Sequence, residues 1–189
     1  MMVVIETERL ILRRSTAADA DFYYRLWTTP AVMAQVGFPQ GLRVSRDEVA
    51  ALLAGQKEGA FHGRLLVLLK ESGEPLGEAA LHPPEADGIA STDVKLLPAH
   101  WGQGYGTEIK RALVDYLFTH TDCRVVEATP NQTNIASIKM QKAVGGVCVG
   151  ETVYEFPEQM QAYTRPVHAL IYQVSREEWE KQQSARSAG

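Results

Sequence analysis

Three glycines at alternate positions are the residues in this chain best suited to binding chemistry. Gly102, Gly104 and Gly106 come after the apolar, strand-like residues 94–97 and before a run with apolar residues at three- and four-residue spacing, which predicts a helix. Glycine lets the backbone approach a ligand closely, and the first amides of a helix have no acceptor within it. The amides of residues 103–107 are therefore candidates for binding a phosphate or pyrophosphate, the alternative being a glycine-rich helix entry that binds nothing.

Two well-known phosphate-binding loops do not fit this stretch. A Walker loop requires a lysine before its serine or threonine, but Gly106 precedes Thr107. A dinucleotide-binding G-x-G-x-x-G begins at the first strand of its domain, whereas here the third glycine comes one residue early and follows roughly ninety residues of other elements. The spacing alone therefore leaves the phosphate ligand open.

A longer motif around the glycines resembles that of a known family. Residues 98–108, P-A-H-W-G-Q-G-Y-G-T-E, are similar to the acetyl-CoA loop of the GNAT superfamily of N-acetyltransferases, whose pattern is [QR]-x-x-G-x-[GA], with Trp101 at its first position. Residues 131–145, N-Q-T-N-I-A-S-I-K-M-Q-K-A-V-G, are similar to a second segment of that family. The opening T-E-R-L-I-L-R of residues 7–13 resembles the first strand of the branch that includes ribosomal-protein N-terminal (alanine) acetyltransferases.

The resemblance implies an α+β (α/β) fold, with a mixed, mostly antiparallel GNAT-like sheet and a central parallel strand pair flanked by helices. Apolar runs at 64–70 and 75–82, joined by turn residues, predict a hairpin. Residues 124–128 predict a short strand parallel to the central one, and 147–156 with 167–174 predict a final antiparallel pair.

The resemblance also implies acetyl-CoA as the co-substrate. Its pyrophosphate would lie on the loop amides, its pantetheine arm would pair with the backbone of Leu96 and Leu97, and Asn134 would reach the cleft near the thioester. The cofactor-binding residues implied in this way are Leu96, Leu97, Trp101, Gln103, Gly104, Tyr105, Gly106, Thr107, Asn134 and Ser137.

Acetyl transfer to an amine requires a group that accepts a proton, because an alkyl ammonium, with a pKa of about 10, must lose one before it attacks a thioester. Asp93 on the central strand and Glu78 on the preceding strand are the catalytic candidates we place first, with His82, Glu127 and His168 as alternatives. Each could equally be a solvated or ion-paired strand residue. Whether Asp93 faces the cleft depends on strand parity, which the sequence leaves open.

Ser137, one helical turn after Asn134, is the third catalytic candidate, although a small residue there would also let the helix pack closely. Many GNAT members carry a tyrosine at the position of Gln141, as the acid that protonates the leaving CoA thiolate. An amide cannot donate a proton in that way. The proton donor is therefore left open between Ser137, a water, another tyrosine and no strong acid at all.

In the family's arrangement, the first helical region covers the acceptor side of the cleft. The loop 37–41, G-F-P-Q-G, is the favoured acceptor-binding segment, since loops carry specificity on a rigid scaffold. Large apolar residues of the region are candidates either for pocket walls or for ordinary core: Phe22, Tyr23, Trp27, Met33, Phe38 and Phe61.

Length and composition set further expectations. The 189 residues suit one domain, which we place at 1–183, with a disordered tail at 184–189. The net charge, 19 − 23 = −4, argues against nucleic-acid binding, and no apolar run reaches the roughly 18 residues of a membrane span. Cys123 and Cys148 lack metal-ligand spacing, so we expect no metal and free thiols in a cytoplasmic protein, either monomer or homodimer.

These features predict an acetyl-CoA-dependent N-acetyltransferase that moves an acetyl group to a primary amine by direct attack on the thioester. The amine could belong to a protein N-terminus or to a small molecule. The alternative is a non-catalytic acyl-CoA-binding sensor or regulatory module, which the absence of the usual tyrosine would suit.

Overall fold

One mixed sheet organises the chain. The computed structural model describes residues 2–57, 59, 61 and 63–187. Within them eight strands lie in the order β1-β2-β3-β4-β5-β6-β8-β7, and every neighbouring pair is antiparallel except β5 and β6. The strands are β1 Val3–Glu6, β2 Leu10–Arg14, β3 Arg64–Leu69, β4 Pro75–His82, β5 Ile89–Leu96, β6 Val125–Ala128, β7 Val147–Tyr154 and β8 Val167–Ser175. The predicted fold class is confirmed.

The helices pack on both faces of this sheet. They are α1 Ala20–Thr28, α2 Pro30–Met33, α3 Arg46–Ala54, α4 Tyr105–His120, α5 Ile135–Ala143 and α6 Arg176–Ser187. Serine side chains cap two of them, since Ser45 accepts from the Glu48 amide before α3 and Ser175 accepts from the Glu178 amide before α6, both at 3.2 Å.

Each face of the sheet has its own apolar core. On one face, α4 buries Ile109, Leu113 and Leu117 against alternate residues of the central strands, among them Leu65 and Val67. On the other face, α1, α2 and α3 cover the sheet with a second cluster that contains Phe22, Tyr23, Leu26, Trp27, Val32, Met33, Val49, Leu53, Leu66 and Leu97. The two cores fix the strands between them, so side chains at the middle of the sheet have defined positions.

The parallel strands β5 and β6 pair over only three residues. Ile89, Ala90 and Ser91 align with Val125, Val126 and Glu127, and no further pairing joins the two strands in the described part of the chain. Beyond Ser91, β5 therefore has an edge that faces no strand. Backbone amides and carbonyls on such an edge are free to pair with a ligand that lies in the gap.

Two segments differ from the sequence-based expectation. Residues Val3–Glu6 form β1, which was not predicted because a four-residue apolar run carries little periodicity. The helix α6 continues to Ser187, past the expected end of the domain at residue 183, while 188–189 of the expected tail lie outside the described residues. Residues 176–187 contain no glycine or proline to end the helix, and Gln183 Nε2 donates to Asp115 Oδ1 of α4 at 2.9 Å.

Candidate active site

The glycine loop has the geometry of an anion-binding helix start. Gly102 and Gly104 adopt left-handed φ angles of 74° and 81°, which only glycine takes without strain. Gly104 is the N-cap of α4, and the first helical bond runs from the Glu108 amide to the Gly104 carbonyl at 3.1 Å. The preceding amides thus begin the helix without a helical acceptor, at the positive end of its dipole.

The turn between β1 and β2 holds this loop in place. Glu108 accepts hydrogen bonds from the Thr7 hydroxyl at 2.6 Å, the Arg9 amide at 3.0 Å and Arg9 Nε at 2.7 Å. Arg9 also donates to the Gln103 carbonyl at 3.1 Å, and its guanidinium lies 4.5 Å from the Tyr105 ring centre. The opening motif and the glycine loop, about one hundred positions apart in the chain, thus form one structural unit.

The hydrogen bonds at the end of β5 bear on one expectation, that the pantetheine arm pairs with the Leu97 backbone. The Leu97 amide donates to the Leu76 carbonyl at 2.9 Å and its carbonyl accepts from the His100 amide at 3.0 Å, so Leu97 has no free backbone group for pantetheine. Backbone direction alternates along a strand, so Leu96 and Val94 direct their amides and carbonyls to the open edge. Trp101, half-exposed, donates its indole N–H to the Leu96 carbonyl at 2.8 Å.

The gap between β5 and β6 opens into a cavity of about 560 Å³. Its walls come from the segment after α2, from β4, β5, β6, α4 and α5, and from the end of β7. Three carboxylates line it, those of Asp93, Glu127 and Glu155, together with His82. The loop residues 103–107 do not line the cavity. Met140, which does line it, lies next to the loop, because its Sδ is 3.3 Å from the position that a Cβ on Gly106 would occupy.

Helix α5 brings Asn134, Ser137 and Gln141 to the cavity wall. Asn134 Oδ1 accepts from the Ser137 amide at 3.1 Å, which caps the helix and fixes the side chain at the cavity. The Gln141 side chain is buried in this wall. The second family segment therefore contributes one wall of the cavity that β5 also lines.

Asp93 and Glu78 have different surroundings. Asp93 lines the cavity with 47% of its side chain exposed, and it pairs with Lys95. Glu78 is only 3% exposed and its carboxylate contacts Trp27 Nε1 at 3.1 Å, Arg64 Nη1 at 3.4 Å and Lys95 Nζ at 3.1 Å. Strand register puts both on the face covered by α1, with Lys95 between the two carboxylates.

The charges around Asp93 set its protonation. Burial by itself would raise the pKa of Asp93, but the Lys95 ammonium and, more weakly, Arg64 outweigh that effect and hold the pKa below its ordinary value. Asp93 is therefore ionised at neutral pH. A carboxylate in this state can hold a cation at the cavity surface.

The remaining sequence candidates divide between the cavity and other places. His82 and Glu127 line the cavity, with Glu127 accepting from Gln173 Nε2 at 2.9 Å, whereas His168 is exposed on β8 outside the lining. Most aromatic candidates for the acceptor pocket belong to the cores instead: Phe22, Tyr23, Trp27 and Met33 are buried under α1–α3, and Phe61 packs against Tyr116. Phe38 contacts Phe156, a cavity residue, with ring centres 5.1 Å apart.

Lys110 is a cavity residue that the sequence analysis missed. It is 1% exposed, and its Nζ donates to the Thr92 hydroxyl on β5. Burial lowers the pKa of Lys110 to about 7, against an opposing effect of Asp93. The sequence could have indicated its burial. Lys110 lies four residues after Gly106 and next to Ile109, so it falls on the apolar side of the amphipathic helix.

Three further observations concern metal binding, membrane spanning and the cysteines. Among the described residues, no group of three or more histidine, cysteine, aspartate or glutamate side chains is arranged to hold a metal ion. No helix in the same part of the chain combines the length and apolar character needed to cross a membrane. The two cysteines, Cys123 buried and Cys148 exposed, are free thiols.

Comparison with known proteins identifies the family. Residues 9–147 match the family described as the acetyltransferase (GNAT) domain. The uncharacterized N-acetyltransferase p20 of Bacillus licheniformis is 30% identical over 142 residues, covering 74% of this chain and 79% of that protein. The chain therefore belongs to the GNAT acetyltransferase family and is an acetyltransferase, as the motifs indicated.

Solved structures share the fold at low sequence identity. A spermidine N-acetyltransferase from Vibrio cholerae, in complex with CoA and spermine, has a TM-score of 0.74 and 19% identity, over 92% of this chain and 99% of that one. A putative ribosomal-protein-serine acetyltransferase from Vibrio cholerae has a TM-score of 0.72 and 18% identity, over 93% and 99%. The same fold is thus found in enzymes named for a polyamine and for a protein acceptor.

Proposed function

We propose that this protein transfers the acetyl group of acetyl-CoA to a primary amine that carries positive charge, by direct attack of the amine on the thioester. One observation carries the proposal: the cavity at the open edge of β5 is lined by three carboxylates, Asp93, Glu127 and Glu155. A cationic amine would be attracted into such a cavity and held near the thioester. The spermine-bound relative is consistent with an acceptor of this kind.

The cofactor would lie along the open edge of β5. Its pyrophosphate would accept hydrogen bonds from the amides of 103–107. Trp101 lies just before this loop and donates its indole N–H to the Leu96 carbonyl at the end of β5. Its pantetheine would pair with the Leu96 amide and with the amide and carbonyl of Val94, which point toward the open edge of β5, and Asn134 would face it from α5. This arrangement brings the thioester to the cavity wall between Asp93 and Ser137.

The catalytic candidates take separate roles in this proposal. Asp93 receives the amine, holding its ammonium and accepting its proton directly or through a water, because it is ionised and faces the cavity. Glu78 has a positioning role, because its carboxylate holds Lys95 and Arg64 in place. The same carboxylate also contacts Trp27, so it is not free to bind the amine. The Ser137 hydroxyl lies at the cavity wall, where it can orient the thioester or a water.

The choice between a protein N-terminus and a small amine is part of the test. Purified protein is mixed with acetyl-CoA and one of a matched pair, 1,4-diaminobutane or butylamine, and release of CoA is followed with a thiol reagent. An alanine-initiated peptide is the third acceptor. We expect the diamine to support faster release than butylamine, because only the diamine keeps an ammonium after the attacking nitrogen is deprotonated.

Two results would contradict the proposal in different ways. Equal rates for the two amines would show that the carboxylates do not select charge, and a rate seen only with the peptide would assign a protein acceptor. Saturable acetyl-CoA binding with no release for any acceptor would favour the sensor module. We keep a monomer or homodimer as a prediction, and also a cytoplasmic location, to which free thiols are suited.

A further inference from the structure

Lys110 forms the inner wall of the cavity, on α4. It lies one helical turn after Gly106, and its Nζ is held by the Thr92 hydroxyl on β5. It is the only lysine or arginine lining this cavity in the described part of the chain, and no carboxylate there forms an ion pair with it. Burying an ammonium in this way is costly, and an apolar side chain would fill the same position without that cost.

Lys110, His82 and Tyr154 are the ionisable N–H or O–H side chains that line the cavity in the described part of the chain. Of these, Lys110 alone belongs to α4, the helix that begins at the glycine loop. The carboxylates that line the cavity are those of Asp93 on β5, Glu127 on β6 and Glu155 after β7, and Lys95 holds Asp93 in its ionised form. Helix α5 faces Lys110 with neutral side chains only: Asn134, Ser137, Met140 and Gln141. None of these is an acid near neutral pH.

We propose that Lys110 is a further catalytic residue, which in its ammonium form donates the proton that the leaving CoA sulfur takes up. This role deepens the proposed function and depends on it. The acceptor nitrogen forms a bond to the thioester carbonyl carbon, the carbon–sulfur bond breaks, and its electron pair moves to sulfur. Sulfur then takes a proton from Lys110 Nζ, the acceptor nitrogen loses one to Asp93 or water, and Lys110 regains its proton from solvent.

The acidity of Lys110 fits this step. Its pKa of about 7 lies below the value of about 8.5 for a thiol, so proton transfer from this ammonium to a thiolate is downhill. An exposed lysine, with a pKa of about 10.4, would make the same transfer uphill. The buried position between α4 and β5 thus turns an ordinary side chain into an acid matched to the leaving group.

The test compares wild type with Lys110→Met and Lys110→Arg, and uses Lys139→Met on the exposed side of α5 as the matched control. We expect kcat to fall by about 100-fold in Lys110→Met, the lower end of what a positioned proton donor contributes, with the acetyl-CoA Kd within about threefold of wild type. Lys110→Arg should lose activity as well, because a guanidinium keeps its proton. Lys139→Met should match wild type.

The pH profile separates a proton donor from a structural or binding residue. In wild type, kcat should decrease as pH rises above about 7, and this decrease should be absent from Lys110→Met. A wild-type kcat that stays level from about pH 6 to 9 would overturn the role without any variant. So would full activity of Lys110→Arg, or a weaker Kd with unchanged kcat in Lys110→Met. If wild type releases no CoA with any amine, the proposed function itself fails, and the role of Lys110 with it.

Discussion

Asp93 and Glu78 show how position decides what a carboxylate can do. Both lie on one face of neighbouring strands and both contact Lys95. Asp93 is half-exposed in the cavity, where a substrate can reach it, whereas Glu78 is buried and engaged by Trp27 and Arg64. We therefore expect substitution of Asp93 to affect activity and substitution of Glu78 to affect stability.

Replacing Asp93 should impair the reaction and leave the fold intact. Asp93→Asn should lower kcat/KM for a cationic amine by about 100-fold, because the variant neither attracts the ammonium nor accepts its proton. The ratio of variant to wild-type rates should recover as pH approaches the amine pKa of about 10.4, since the amine then arrives neutral. Glu151→Gln, an exposed carboxylate on β7, is the control. A ratio that does not change with pH would exclude Asp93 as the proton acceptor.

Replacing Glu78 should instead lower stability. Glu78→Gln weakens the buried contacts to Arg64 and Lys95, and we expect the free energy of unfolding in urea to fall by about 2 kcal/mol. Glu74→Gln is the control, since that side chain is 55% exposed and should change stability little. Unchanged stability together with a large loss of kcat would reverse the assignment and make Glu78 a catalytic residue.

At the level of elements, β5 determines where the cavity lies, because its two edges are paired to different extents. One edge is paired with β4 along its length, whereas the other is paired with β6 only as far as Ser91. The sequence predicted the strand, and the family resemblance implied a cofactor role for it, but strand parity could not be read from one strand alone. The hydrogen bonds of Leu97 to Leu76 and His100 fix that parity, and in the proposed arrangement Val94 takes the place of Leu97 as the partner of pantetheine.

The contact between the β1–β2 turn and α4 is a second element-level feature. Arg9 holds Glu108 and the Gln103 carbonyl, so it fixes the shape of the glycine loop. Arg9→Met should therefore weaken acetyl-CoA binding by about tenfold in calorimetry, the loss expected for charge-assisted hydrogen bonds at a partly exposed site. Arg46→Met, which removes an exposed ion pair to Asp21, should leave affinity unchanged. Equal affinities for the two variants would mean that the loop keeps its shape without Arg9.

At the scale of the whole molecule, local signals were enough for the order of elements and for the glycine loop. Apolar periodicity, turn residues and caps predicted most strands and helices, and β1 was missed because a short strand depends on its neighbour β2. The cavity could not be predicted in the same way, because it forms only when distant segments meet. Lys110 illustrates this, since nothing in its immediate sequence shows that Thr92 lies beside it.

The central claim is that acetyl-CoA binds at the glycine loop and the open edge of β5. Calorimetric titration of acetyl-CoA into wild type and Gly104→Asp tests it, with Gly73→Asp as the control. Gly73 has a similar left-handed φ of 71° and nothing within 4 Å of an added Cβ, but it lies in the β3–β4 turn. We predict saturable binding to wild type and to Gly73→Asp, and affinity at least about 100-fold weaker for Gly104→Asp, because its carboxylate would stand where the pyrophosphate lies. Equal affinity of Gly104→Asp and wild type would contradict the account.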